Sequence, residues 1–177
     1  YLAFISLGLP DSLLGSAWPV MHEAFQVPLS YAGLVTMIIS GGTICSSLLS
    51  ERLTKKLGTQ IVTVCSVLLT AVALFGFSTA SAFWMLCIWA IPYGLGAGAI
   101  DAALNNYVAL HYNSRHMSWL HCFWGLGTII SPYVMSYALT TSVWQNGYRM
   151  VSFIQFGIVI ILFLTLPVWK VNQKTSV

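Results

Sequence analysis

The chain has almost no charge. Of its 177 residues, seven are Lys or Arg and four are Asp or Glu. Charged residues are 6% of the chain, where soluble domains carry about 25%. That scarcity excludes a water-exposed globular surface. The few cations lie between long apolar runs instead of clustering on one face, which excludes a nucleic-acid binder. Cysteine is sparse too. Cys45, Cys65, Cys87 and Cys122 all fall inside apolar runs without paired spacing, which excludes a disulfide or metal framework and leaves them as small hydrophobes. His111, His116 and His121 stand five residues apart, a step that scatters them round a helix, so no zinc site is expected. A cleavable signal pattern is missing, and Tyr1 already stands in an apolar stretch, so the natural start is expected upstream.

What the chain does have is apolar length. It is 58% hydrophobic with a mean hydropathy of +0.82, and it divides at polar punctuation into stretches near 1–22, 28–50, 60–80, 83–110, 117–140 and 148–169. Each is about the twenty residues that a helix needs to cross a bilayer core. Barrel strands would be half as long and strictly alternating. An all-α integral membrane protein of six transmembrane helices is therefore expected. Arg52, Lys55 and Lys56 follow the second span, Arg115 the fourth, Lys170 and Lys174 the sixth, and Arg149 alone lies on the other side. The positive-inside rule then puts both termini in the cytoplasm, in a plasma (inner) membrane. Trp18, Trp84 and Trp144 would mark the outer interface and Trp119 and Trp169 the inner one, with Trp89 and Trp124 deeper. Residues 170–177, polar and past the last apolar stretch, read as a cytoplasmic linker stub.

Against that background two acids stand out. Asp101 sits in the run Pro92 to His111, PYGLGAGAIDAALNNYVALH. A carboxylate near the bilayer centre costs roughly 2.5 to 3.5 kcal/mol, so it persists where it faces a polar cavity and works there. Asn105 returns to the same helical face, and Gly94, Gly98 and Ala102 form a smooth ridge at i, i+4 and i+8 where a neighbour can pack closely. Asp11 is the second acid. At 1.5 Å per residue, both lie roughly 15 Å from the cytoplasmic ends of their spans, near the midplane.

The surroundings of the two acids match. Gly8-Leu9-Pro10-Asp11-Ser12-Leu13-Leu14 and Gly98-Ala99-Ile100-Asp101-Ala102-Ala103-Leu104 share G-x-x-D-x-x-L, and Gly42-Thr43-Ile44 in span two is echoed by Gly127-Thr128-Ile129 in span five. Span one runs outward and span four inward, so residues 1–80 and 83–169 are expected to form a 3+3 inverted repeat. Polar residues recur at helical spacing on span five (His121, Trp124, Thr128) and span two (Thr36, Ser40, Thr43, Ser47). Span six is plainer. Gln155 is its one strongly polar member, which suits a lipid-facing helix, while spans one, four and five would line a cavity with Pro10 and Pro19 bending the first.

Together these features resemble the N-terminal half of a major facilitator superfamily transporter, closest to the fucose/proton symporter group. The residues that carry the resemblance are an acid in span one (Asp11) and Gly94, Gly96 and Gly98 before Asp101 and Asn105 in span four. The basic loop ERLTKKLG after span two and LHCFWGLG in span five complete it. The loop keeps part of the superfamily signature as Glu51-Arg52 and Lys55-Lys56, with Thr54 in place of a glycine. The resemblance implies a twelve-helix secondary transporter whose halves rock about a central site, here proton-coupled symport of a sugar or similar small polar solute. A second six-helix half and the lipid bilayer would be the partners, with no nucleic acid and no cofactor beyond a coupling proton. Asp11 and Asp101 would bear on proton coupling, and Asp11, Asn105, His121 and Trp124 on the solute. Glu51, Arg52, Lys55 and Lys56 would set topology or gate the cytoplasmic side. Gly127-x-x-x-Ser131-Pro132 is near an antiporter pattern, so exchange stays open as an alternative. An intramembrane aspartyl protease also needs two buried acids, but its usual motifs, Tyr-Asp and G-x-G-D, are not those around Asp11 and Asp101.

Overall fold

The computed structural model describes residues 1–173, and they are helical with short connections. The helices are α1 (Leu2–Asp11), α2 (Leu13–Ala24), α3 (Ala32–Leu57), α4 (Thr59–Ser78), α5 (Phe83–His111), α6 (Ser114–Thr141) and α7 (Trp144–Gln173), with a 3-10 turn at Leu29–Tyr31 before α3. Five of them are long and apolar enough to cross a membrane. The first crossing is made in two pieces, α1 and α2, which meet at Ser12.

Pro10 leaves a further gap inside α1, just before that break. A proline has no N–H and its ring presses on the carbonyl four residues back, so the carbonyl of Ser6 loses its helical partner. In lipid a released carbonyl must be satisfied within the protein. Gln155 of α7 does so, its Nε2 donating to the Ser6 oxygen. This corrects the expectation that span six simply faces lipid. Val151, Ser152, Gln155, Ile158 and Leu162 form a buried stripe, while Phe153, Ile154, Ile160, Ile161, Phe163 and Leu164 are exposed. Gln155 belongs to the inner stripe.

Helix association in lipid depends on close packing, because tails and side chains are equally apolar. Two of the crossings are built on glycine. Where α1 meets α6, a Cβ at Gly127 would lie 2.6 Å from the Ile5 carbonyl oxygen and 2.8 Å from the Leu9 nitrogen, and one at Gly8 would collide with the Trp124 carbonyl. Where α3 meets α5, a Cβ at Gly42 would lie 3.1 Å from the Leu95 nitrogen, and one at Gly98 would lie 2.7 Å from the Thr43 Cα. Side chains bridge the second: Thr43 Oγ1 donates to the Gly94 carbonyl at 3.3 Å and Ser47 Oγ to that of Gly98 at 3.2 Å. Helix α4 packs against both α5 and α7.

The apolar interior falls into two main clusters. One gathers Leu13, Trp18, Met21, Phe77, Tyr93, Met135, Trp144 and Tyr148, and the other Phe4, Leu7, Val67, Ile100, Leu104 and Leu120. Trp18 and Trp144 are thus core residues, 4% and 3% exposed, where the sequence reading put them in an interfacial belt. Trp18 spends its polar end inside, its indole N–H donating to the Leu29 carbonyl at 2.7 Å. Trp84 and Trp119 are exposed.

The basic stretch after span two is helix, not loop. α3 runs on to Leu57 and ends at Gly58, whose φ of 84° suits a residue without Cβ, and whose N–H bonds the Thr54 carbonyl at 2.9 Å. Lys55 and Lys56 lie in its last turn, where cations offset the partial negative charge of the helix end. α7 likewise continues past Trp169 to Gln173, into the segment read as a linker stub. The side chains of Trp169 and Lys170, and residues 174–177 with Lys174, lie outside the described residues.

The crossings make a prediction. Gly127→Leu forces a side chain against the α1 backbone and is expected to destabilise the purified protein by about 2 to 3 kcal/mol, as overpacking does. Gly157→Ala, with nothing within 4 Å of the added carbon, is expected to be neutral or slightly stabilising. Thermal unfolding in detergent compares them, and equal stabilities would remove the close crossing.

Candidate functional site

A cavity of about 320 Å³ opens where the two clusters meet, at the small end of the range for small-molecule sites. Its walls come from α1 (Phe4, Leu7, Asp11), α3 (Ile39, Thr43), α5 (Tyr93, Ala97, Asp101) and α6 (His121, Trp124). The spacing explains the set. Phe4, Leu7 and Asp11 stand at i, i+3 and i+7, Tyr93, Ala97 and Asp101 at i, i+4 and i+8, and His121 and Trp124 at i and i+3, so each helix presents one face. Both acids singled out from the sequence line the same cavity, with His121 and Trp124.

Asp11 closes α1, just before the break, and both of its oxygens are engaged. The Tyr93 hydroxyl donates to Oδ1 at 3.1 Å, and the Trp124 indole N–H donates to Oδ2 at 2.8 Å. Donors from two other helices therefore hold the carboxylate. Asp101 is held differently. It accepts from the Asn105 Nδ2 at 2.9 Å, a bond within its own helix, on Oδ1. Asn105 is thus set behind Asp101 and is not one of the cavity walls, which differs from the sequence expectation, and its buried Oδ1 has no partner among the described residues. The difference has a simple geometric source: a side chain one turn away can reach its neighbour along the helix as readily as the cavity. The His121 ring meets Phe4 edge-on, with centroids 5.8 Å apart.

Glu51, Arg52, Lys55 and Lys56 lie away from this cavity, at the exposed end of α3. Lys55 Nζ pairs with Glu51 Oε1 at 2.5 Å, both side chains being about 70% exposed, an i, i+4 contact in open solvent. Sequence reasoning missed Tyr93 as a site residue. Its signal was present, since it stands two turns before Asp101 on one helical face.

Chemically, the arrangement offers one carboxylate ringed by donors and a second with a lighter hold, together with an imidazole and an indole face. A small polar solute can find acceptors, donors and a flat apolar surface here. Tyr93 and Trp124 can exchange Asp11 for a solute hydroxyl without leaving a donor unpaired.

The family profile described as Major Facilitator Superfamily matches residues 1–176. The chain is 24% identical over 178 residues to the Bypass of stop codon protein 6 of Saccharomyces cerevisiae, covering 99% of this chain and 35% of that protein. It is 22% identical over 150 residues to the Glucose/mannose transporter GlcP of Bacillus subtilis, covering 84% of this chain and 37% of that protein. The chain thus spans about a third of the length of these curated relatives.

Water access to the cavity can be tested directly. With native cysteines replaced by serine, Ala97→Cys and Thr43→Cys are expected to react readily with a membrane-impermeant thiol reagent, while Ala90→Cys, fully buried in the same α5, is expected to stay unlabelled. Equal labelling at the three positions would contradict the cavity.

Proposed function

The chain belongs to the Major Facilitator Superfamily, and from that premise we propose that it is the N-terminal six-helix half of a proton-coupled symporter for a sugar or similar small polar solute. The observation that carries this reading is the pair of carboxylates on one cavity, Asp11 with both oxygens bonded and Asp101 bonded through one. Two acids in different settings suit two tasks. Asp101, held within its own helix, is assigned the proton that is taken up on one side and released on the other. Asp11 is assigned the solute, through charge-assisted hydrogen bonds to hydroxyls, with Tyr93 and Trp124 re-pairing as it does so. His121 and Trp124 complete the solute site, and Asn105 orients Asp101. The similarity to a protein named as a glucose/mannose transporter supports a sugar, and the motifs shared with the fucose/proton symporter group support proton coupling.

In this reading residues 1–80 and 83–169 are the two repeats, and alternating access is the rocking of this half against a second one across the cavity. Both termini are cytoplasmic, in the plasma membrane. Glu51, Arg52, Lys55 and Lys56 then mark the cytoplasmic end, fixing orientation and meeting the other half as the bundle closes. The exposed faces of α3 and α6 suit a partner of that kind. A six-helix form by itself is expected not to transport, and uptake by a demonstrably monomeric one in liposomes would refute the two-half scheme.

Coupling gives the sharper prediction. The full-length protein is reconstituted in liposomes under a pH gradient, with radiolabelled D-glucose as the first probe. Asp101→Asn keeps side-chain shape and most hydrogen bonding but carries no titratable proton. It is expected to abolish uphill accumulation while leaving counterflow exchange largely intact. Asp11→Asn is expected to weaken solute affinity by about ten- to a hundredfold, the range for losing a charge-assisted hydrogen bond. If Asp101→Asn still concentrates the solute, the coupling role passes to Asp11 or His121. Accumulation against an inverted gradient would indicate antiport.

A further inference from the structure

We propose that Gln155, outside the cavity, is a positioning residue: its amide closes the gap that Pro10 opens in α1 and so holds Asp11 within reach of Tyr93 and Trp124. The inference goes beyond the transport reading, and rests on it only in treating Asp11 as a solute ligand.

The chain of cause begins with the missing N–H of Pro10, which strands the carbonyl of Ser6 four residues back. Ser6 is 1% exposed, so water does not reach that oxygen readily. Its own hydroxyl is committed elsewhere, donating to the Ala3 carbonyl at 2.7 Å. Gln155 reaches across from α7 and donates its Nε2 to the Ser6 oxygen. Two features mark this as the amide's task. Gln155 is 0% exposed in the apolar middle of α7, a place where an amide is costly unless bonded. Its Oε1 has no partner among the described residues, so the bond to Ser6 is the interaction that offsets its burial. The consequence for the site is geometric. Ser6 lies just over one turn before Asp11, so the direction of its carbonyl fixes the turn that carries the carboxylate. Hydrogen bonds of 2.8 and 3.1 Å to Asp11 weaken quickly when the helix shifts.

The test is a double-mutant cycle on the full-length protein in detergent, read by hydrogen–deuterium exchange of the segment Leu2–Ala24. Gln155→Leu is expected to speed exchange in α1 about tenfold, as the loss of one buried hydrogen bond predicts. Pro10→Ala restores the N–H that closes the Ser6 carbonyl within the helix. In that background Gln155→Leu is expected to change α1 exchange by less than about threefold. Gln155→Met serves the same cycle should the leucine variant not fold. A space-filling role would be indifferent to the N–H at position 10, so equal effects in both backgrounds, or no effect in either, would overturn the proposal. The readout needs no solute. Failure of the Asp11→Asn affinity test would count against the transport reading, and additivity in this cycle against the Gln155 contact.

Discussion

A carboxylate in the middle of a membrane protein must be met by donors, and Asp11 is met from two other helices at once. Tyr93 comes from α5 and Trp124 from α6, at 3.1 and 2.8 Å. Three helices can bring their side chains to one point only if their backbones approach closely. Gly8 and Gly127 supply the approach of α1 to α6, and α3 crosses α5 equally closely at Gly42, Gly94 and Gly98. The cavity is what remains open between these crossings, bounded by one apolar cluster on each side. Packing, polar satisfaction and site geometry are one problem here, because without a hydrophobic driving force in lipid the helices are held by contact and hydrogen bonds.

The same constraint shapes the backbone. Pro10 leaves a gap inside α1 next to Asp11, and the first crossing breaks and restarts at Ser12. A broken helix is tolerated in a membrane when neighbours take up the freed groups. The buried amide of Gln155 takes up the Ser6 carbonyl, while Thr43 and Ser47 add bonds to carbonyls of α5. Gln155, Thr43 and Ser47 thus each meet a backbone carbonyl that a neighbouring helix presents.

Much of this was legible in the sequence, and the reasons are specific. Apolar runs of bilayer length give the six crossings, since hydropathy depends on composition alone. Asp11 and Asp101 could be placed on one cavity because an acid at mid-depth has few tolerable settings. The ridge of Gly94 and Gly98 announced a close neighbour, though not which one. Other features needed three dimensions. Span six reads as a lipid-facing helix because nothing within it says that a carbonyl on α1 lacks a partner. Counting four residues back from Pro10 finds the need but not who answers it. Trp18 and Trp144 carry the interfacial signature of tryptophan, yet bundle packing buries them. Asn105 shares a face with Asp101, and periodicity cannot distinguish a side chain that lines a cavity from one that bonds its neighbour. The stretch Glu51 to Leu57 looked like a loop because it is charged, whereas charge at a helix end that emerges from lipid is compatible with helix until Gly58 stops it.

The central claim, that solute and proton share one cavity, is tested most directly by watching the proton. Full-length protein is reconstituted in lightly buffered liposomes without an imposed gradient, D-glucose is added outside, and external pH is followed. The account predicts a transient alkalinisation as solute and proton enter together, lost in Asp101→Asn. Uptake with no movement of protons, or an unchanged alkalinisation in that variant, would contradict it.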